Sequence, residues 1–493
     1  MSRLPFPNTL MIAVALATAE PALSLQDVRV FPAPMPTPAW VPCAVADLDG
    51  DQLPDIAFAD SVVGVNVRFG RGNGTYFEPV VLEATRSPET GADIDLGDVT
   101  GDGLPDIVVT WGSWDSPAST VRTHVALGGG EFSASVPSSL PIPSDVFDCQ
   151  ERQLHDIDGD GLLDLVAVTY DPVSSDPSSL VTVARSTGDG GFVLATQLVV
   201  PLGLNQGPLA VGDFFPDGVP DIATAFAASQ STDDLMAVFV GTGGVSFLSP
   251  PEQWPAPGSP LAFWPDLAAG DIDLDGALDL VFSSHAFDGL AAVGQLDVVS
   301  WDAAFSPHTI LSMPDDAGGL PAVGDLDEDG WPDVVVGPDP QVSGGFPRNL
   351  SIFRNDGHGA LLPRQATGAV KSGRPDIVEL DGDGIPDVFI GTYGSALFFG
   401  NGDGTFGEPT ELTFGDAKPI HVAATDIDAD GAPDLLVGLN EPDSSLVVHI
   451  GDAAGGFGES VSAGESWAFV TPSASRPTGC SPRIWMRTCG RTS

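Results

Sequence analysis

Short runs that alternate apolar with small or polar residues recur along the chain, each followed by a run that is apolar throughout. The last unit shows the order. Ile420-His421-Val422-Ala423-Ala424-Thr425 alternates as a half-buried strand must. After an acidic stretch, Asp434-Leu435-Leu436-Val437-Gly438 reads as a buried strand, and Ser445-Leu446-Val447-Val448-His449-Ile450 as a third. A glycine-rich turn, Gly451-Asp452-Ala453-Ala454-Gly455-Gly456-Phe457, launches a fourth. The pattern predicts an all-β chain assembled from four-stranded units.

The acidic stretch is the clearest marker of the repeat. It has the form Asp-x-Asp-x-Asp-Gly-x-x-Asp, and copies begin at Asp47, Asp98, Asp156, Asp213, Asp271, Asp325, Glu379 and Asp426, spaced 47 to 58 residues apart. That period suits one four-stranded β-propeller blade with generous loops. Eight loops favour eight blades, with seven as the alternative. The segment Asp27-Val28-Arg29-Val30-Phe31 resembles a spare outer strand, able to close the ring against the last blade.

Carboxylates at odd positions around a tight turn can cage a hard cation. The candidate ligands are Asp47, Asp49, Asp51 and Asp55; Asp98, Asp102 and Asp106; Asp156, Asp158, Asp160 and Asp164; and Asp213, Asp217 and Asp221 in the first four loops. The last four loops offer Asp271, Asp273, Asp275 and Asp279; Asp325, Asp327, Asp329 and Asp333; Glu379, Asp381, Asp383 and Asp387; and Asp426, Asp428, Asp430 and Asp434. A helical calcium loop of the EF-hand type would need a carboxylate at position 12. Here position 12 is Phe58, Val109, Ala167, Thr224, Phe282, Val336, Ile390 or Val437, so that reading fails. Closure falls instead to the ninth-position Asp, aided by the carbonyl at position 7, and the hard oxygen set favours Ca²⁺. Thr100 weakens the second loop and Phe215 disables the fourth at position 3. About six to eight structural Ca²⁺ sites are expected, since a cage repeated in every unit leaves no open position beside a base.

A second signature recurs as Phe69-Gly70-Arg71-Gly72-Asn73-Gly74-Thr75-Tyr76-Phe77 and Phe399-Gly400-Asn401-Gly402-Asp403-Gly404-Thr405-Phe406. Its glycines permit a tight hairpin, and its aromatic residue anchors the next strand. With the acidic loops, it resembles the FG-GAP or VCBS repeats of integrin α-chains and many secreted bacterial proteins, over roughly residues 27–465. The resemblance implies a calcium-binding β-propeller used in adhesion or ligand binding.

Composition adds to this picture. The formal charge is −50, and 30 of the 68 acidic residues are the loop carboxylates named above, so bound cations would neutralise much of it. The remaining negative charge argues against a nucleic acid or an anionic membrane as partner. Arg3 followed by the apolar run Leu10–Ala17 and the small residues at Ala17-Thr18-Ala19 predicts a secretory signal over residues 1–19. No later stretch is long and apolar enough for a membrane span. The expected location is extracellular or at the cell surface, with the periplasm as a variant, and the expected state is a monomer. Cys43 and Cys149 read as small buried residues, while Cys480 and Cys489 could bridge each other in a basic, irregular tail over 466–493.

Loops on the face away from the acidic turns are longest at Thr110–Thr120, Tyr170–Leu180, Ala227–Leu235, Ser249–Asp266 and Ser284–Asp297. They carry Trp111, Trp114, Trp254, Trp264 and His285, a candidate ligand face for an extracellular carbohydrate or protein. Little points to catalysis: there is no nucleophile elbow, zinc-protease helix or phosphate loop. A polysaccharide lyase on the same scaffold is the alternative reading.

Overall fold

The structure, a computed structural model, describes residues 28–32 and most of residues 43–451. Every regular element among the described residues is a β-strand, and the strands form eight four-stranded antiparallel sheets. The first sheet is Cys43–Ala46, Asp55–Asp60, Gly64–Arg68 and Val80–Glu83 in that spatial order. The next six follow the same consecutive order.

The eighth sheet differs in one strand. Lys418–Thr425, Asp434–Asn440 and Ser445–His449 supply three, and the fourth is Val28–Pro32 from the other end of the chain. Val30 stands opposite Val447 and Phe31 opposite Leu446 in antiparallel register. The spare strand expected from the sequence therefore completes the last blade, and the count is eight rather than seven.

Eight seams between successive sheets show how the ring closes. Each apolar cluster is shared by two neighbouring blades: Ala57, Val65 and Val67 of the first pack with Ile94 and Ile107 of the second. Val335 and Ile352 of the sixth pack with Val388 and Phe398 of the seventh. The last seam joins Cys43, Ile56 and Phe58 of the first blade to Ile427, Leu436 and Val448 of the eighth. The core is thus a circle of seams, and each blade buries both faces, which is why the second strands are apolar throughout. Cys43 is fully buried there, and burial pushes its thiol up to about 12. Cys149, Cys480 and Cys489, residues 1–19 and the tail 466–493 lie outside the described residues.

Three expectations on the far face are corrected. Ser284–Asp297 is not a long connection. The strands Asp279–Asp288 and Ala291–Val299 run through it, with His285 opposite Gly294. Trp111 is not on an exposed loop either. The strand Asp106–Gly112 continues to it, with Trp111 opposite Ala92 on one side and Thr120 on the other. The indole is 1% exposed, and the Arg122 guanidinium lies 5.9 Å from its ring centre. Trp254 likewise sits in a strand, Glu252–Pro255, opposite Met236. Trp114 and Trp264 lie outside the described residues.

Candidate metal centres

Every acidic loop joins the first strand of a blade to the second, and its ninth-position Asp is the first residue of that second strand. Position 2 is always apolar and buried: Leu48, Val99, Ile157, Phe214, Ile272, Leu326, Leu380 and Ile427 are each 1% exposed or less. That side chain pins the loop into a seam, and the flanking polar positions consequently face outward. Position 12 lies in the same second strand, and all eight residues there are buried, from Phe58 at 6% to Val437 at 0%. A carboxylate there would sit in the core, so the exclusion of a helical calcium loop holds.

The ninth-position carboxylates do more than the sequence suggests. One oxygen accepts the backbone N–H of position 2, at 2.7–3.2 Å in all eight loops. The other accepts the N–H of a residue at or just past the end of the third strand. Gly70, Ala126, Ser186, Gly241, Asn355, Gly400 and Gly451 donate at 2.6–2.8 Å to Asp55, Asp106, Asp164, Asp221, Asp333, Asp387 and Asp434. In several blades that residue in turn bridges to the anchor of the fourth strand, as in Gly70 with Tyr76 and Gly400 with Phe406. One buried side chain therefore ties the acidic loop, the third strand and the fourth strand together. The signal for this clamp was present in the sequence, in the invariant Asp at the head of each apolar strand, but only the geometry reveals its second partner.

Position 1 organises the turn itself. Asp47 Oδ1 accepts from Gly50 and Asp51 at 2.7 and 3.1 Å, and its Oδ2 from Gln52 at 2.8 Å. Position 5 closes an Asx turn on position 7, as in Asp51 with Leu53 at 2.9 Å and Asp275 with Ala277 at 2.8 Å. Position 6 adopts a left-handed backbone: the glycines there have φ of 80–93°, and Gln52 in the first loop has φ 70°.

This frame gathers carboxylates. Oxygens from positions 1, 3 and 9 lie within 4.8 Å of one another in Asp47, Asp49 and Asp55; Asp156, Asp158 and Asp164; Asp271, Asp273 and Asp279; Asp325, Asp327 and Asp333; and Glu379, Asp381 and Asp387. The position-5 group stands beside position 3, and this proximity adds to burial in raising the pKa of Asp49, Asp381 and Asp428. Burial, with neighbouring carboxylates adding to it, also raises the ninth-position acids. Asp55, Asp164, Asp221 and Asp333 rise to about 6, Asp279 and Asp387 to about 7, and Asp434 to about 8.

Such crowding of negative oxygen is what a hard divalent cation relieves. Oδ1 of Asp327 and of Asp428 is buried without a hydrogen-bond donor. These position-3 oxygens suit a cation, as does a donor set made wholly of carboxylates. Several of these clusters could therefore hold a metal ion.

Two loops depart from the set as expected. In the second, the Thr100 hydroxyl turns to Asp98 Oδ1 at 3.4 Å. In the fourth, Phe215 packs against the seam shared by the fourth and fifth blades. Asp213 still accepts from Asp217 and Gly218, at 3.2 and 2.8 Å, and Asp221 keeps its clamp. The turn thus forms by hydrogen bonding even where position 3 is apolar.

The repeats are FG-GAP-like. The family model for the FG-GAP-like repeat matches residues 47–109, 156–224 and 379–437. Each match begins at position 1 of one acidic loop and ends at position 12 of the next. Among solved structures, the chain is similar to the Dos1 propeller, with a TM-score of 0.46, 10% identity, and 85% of this chain and 95% of that one covered. It also resembles the S. cerevisiae core factor, with a TM-score of 0.40, 11% identity and coverage of 88% and 62%. A mutant of AofleA from Arthrobotrys oligospora is similar at a TM-score of 0.36 and 11% identity, covering 70% and 91%. The eight sheets and their closed circle of seams carry the propeller assignment.

Proposed function

We propose, from the premise that this chain carries FG-GAP-like repeats, that it is a secreted calcium-binding β-propeller serving as an adhesion or ligand-binding module. The observation that carries the calcium reading is the approach of positions 1, 3 and 9 to within 4.8 Å in five separately named loops. One acidic turn can be a solvated hairpin. The same three oxygens brought together again and again on one hydrogen-bonded frame favour a shared ligand. When bound, Ca²⁺ neutralises each cluster and pins the loop joining the first two strands of a blade, so its role is structural.

The module is read as secreted under the direction of residues 1–19, and as a monomer. Its partner is an extracellular carbohydrate or protein, met on the face away from the acidic loops where the connections are longest. Trp114, Trp254, Trp264 and His285 remain the candidate residues of that face, and the buried Trp111 leaves it. No helix among the described residues is long and apolar enough to cross a membrane.

Thermal unfolding with and without a chelator tests the structural role of calcium. Binding at a hundredfold excess over Kd contributes about 2.7 kcal/mol per site, so several sites predict a large fall in Tm in excess EDTA. An unchanged melting curve would overturn the reading. A glycan and protein array probed in Ca²⁺ tests the partner, with specific retention on one ligand class expected and uniform background counting against a binding module.

A further inference from the structure

In the first, second and sixth blades, the side chain just before the residue whose amide docks on the ninth-position Asp runs under the glycine turn of the next blade. Phe69 lies under Gly130, Val125 under Gly190 and Arg354 under Gly404, so close that a Cβ on any of these glycines would collide with it. The position is Phe69, Val125, Val240, Phe399 and Ile450 in the first, second, fourth, seventh and eighth blades, and arginine in the third and sixth. In a chain with 18 Lys and Arg against 68 acidic residues, two arginines at this one position call for an explanation.

Both arginines turn back onto the acidic loop of their own blade. Arg185 Nη1 lies 3.4 Å from Asp158 Oδ2, and Arg354 Nη1 lies 3.5 Å from Asp327 Oδ2. Asp158 and Asp327 are the position-3 members of two of the converging trios. The Arg354 guanidinium also donates to the backbone carbonyl of Asp403 in the seventh blade at 2.8 Å.

We propose that Arg185 and Arg354 are affinity-setting residues that make the third and sixth acidic loops a weaker class of metal site. This rests on the calcium reading above. In each of these loops a guanidinium engages one ligand carboxylate and repels an incoming divalent ion. The first, seventh and eighth loops have an apolar residue in the same place. At the sixth loop, metal competes for a carboxylate whose arginine also holds the seventh blade. Occupancy of that loop therefore alters the seam between the sixth and seventh blades, and it does so only after the tighter loops have filled.

Trp331 occupies position 7 of the sixth loop and can sensitise Tb³⁺ luminescence there, so one loop can be read separately. The Trp331→Phe variant identifies its share of the signal. Arg354→Leu should lower the Tb³⁺ midpoint of that share by on the order of tenfold, as expected from a unit charge facing a multivalent ion a few ångströms away in a wet site. Arg354→Lys, which keeps the charge, should shift it far less. Arg185→Val, at a half-exposed position, should move one site from the weak to the tight class in Ca²⁺ calorimetry, and it decides the matter should Arg354→Leu fail to fold. If metal binds but the Arg354→Leu and Arg185→Val affinities stay within twofold of the parent, this inference is overturned and the calcium reading stands. If the parent protein binds neither ion, both fall.

Discussion

Replacing Asp221 with Ala separates the clamp from the cation, because the fourth loop has Phe215 where the others have a carboxylate. Asp221 is fully buried and accepts three backbone N–H groups: Phe214 at 2.9 Å, Phe215 at 3.0 Å and Gly241 at 2.7 Å. A buried donor left without an acceptor costs about 1–3 kcal/mol. Two of the three share one oxygen, so their loss sums to about 3–6 kcal/mol. Relief follows from no longer burying a charge. Burial lifts this carboxyl to about 6, roughly two units above an exposed aspartate, which returns about 2–3 kcal/mol near neutral pH. The net cost is about 0–4 kcal/mol. Unfolding entropy of about 2.1 cal/mol/K per residue, over the roughly 420 residues between Val28 and His449, converts that to a Tm fall of up to about 5 °C. Differential scanning calorimetry in Ca²⁺ and in EDTA is the assay, with Asp49→Ala beside it. The Asp49 carboxylate accepts an exposed N–H, from Asp51, so its loss should matter in Ca²⁺ and little in EDTA. The Asp221→Ala loss should be the same in both. A loss that disappears in EDTA would refute the clamp.

Two further predictions concern charge and backbone. Seven of the ninth-position acids are raised to about 6–8 when folded, whereas unfolded aspartates titrate near 3.9. Between those values the folded protein binds more protons than the unfolded chain. Their stabilising contribution is thus complete below about pH 4 and is lost as pH rises through 6–8. Tm measured in EDTA from pH 5 to 8.5 should fall across that window, and Ca²⁺ should flatten the slope; a rising Tm in EDTA would contradict this. On the backbone side, Gln52 bears φ 70° where Gly431 bears 93° in the eighth loop. Gly431→Gln should cost about 1–2 kcal/mol and Gln52→Gly should be neutral to slightly stabilising, since glycine escapes left-handed strain but loses more chain entropy. Urea midpoints moving in the same direction for both variants would count against that account.

Much of the fold is legible in the chain because its rules are local. Alternation in Ile420–Thr425, the apolar run after Asp434 and the glycine turns each follow from strand and hairpin sterics within a few residues. Their recurrence conveys a ring of four-stranded blades. The acidic loops were equally visible, as was the failure of Thr100 and Phe215 to supply a carboxylate. The second partner of the ninth-position Asp was not, because Gly70 lies fifteen residues from Asp55 and meets it only once three strands have paired. Trp111 read as a loop residue because its local surroundings are polar and turn-like, yet neighbouring strands extend far enough to bury it. Nothing in the sequence marks Arg354, which meets the Asp403 carbonyl of the seventh blade only across the seam. Sequence by itself determined the repeat, the strands and the carboxylate inventory. Only the tertiary structure decided which residues face a seam, since burial at a seam depends on a neighbouring blade some fifty residues away.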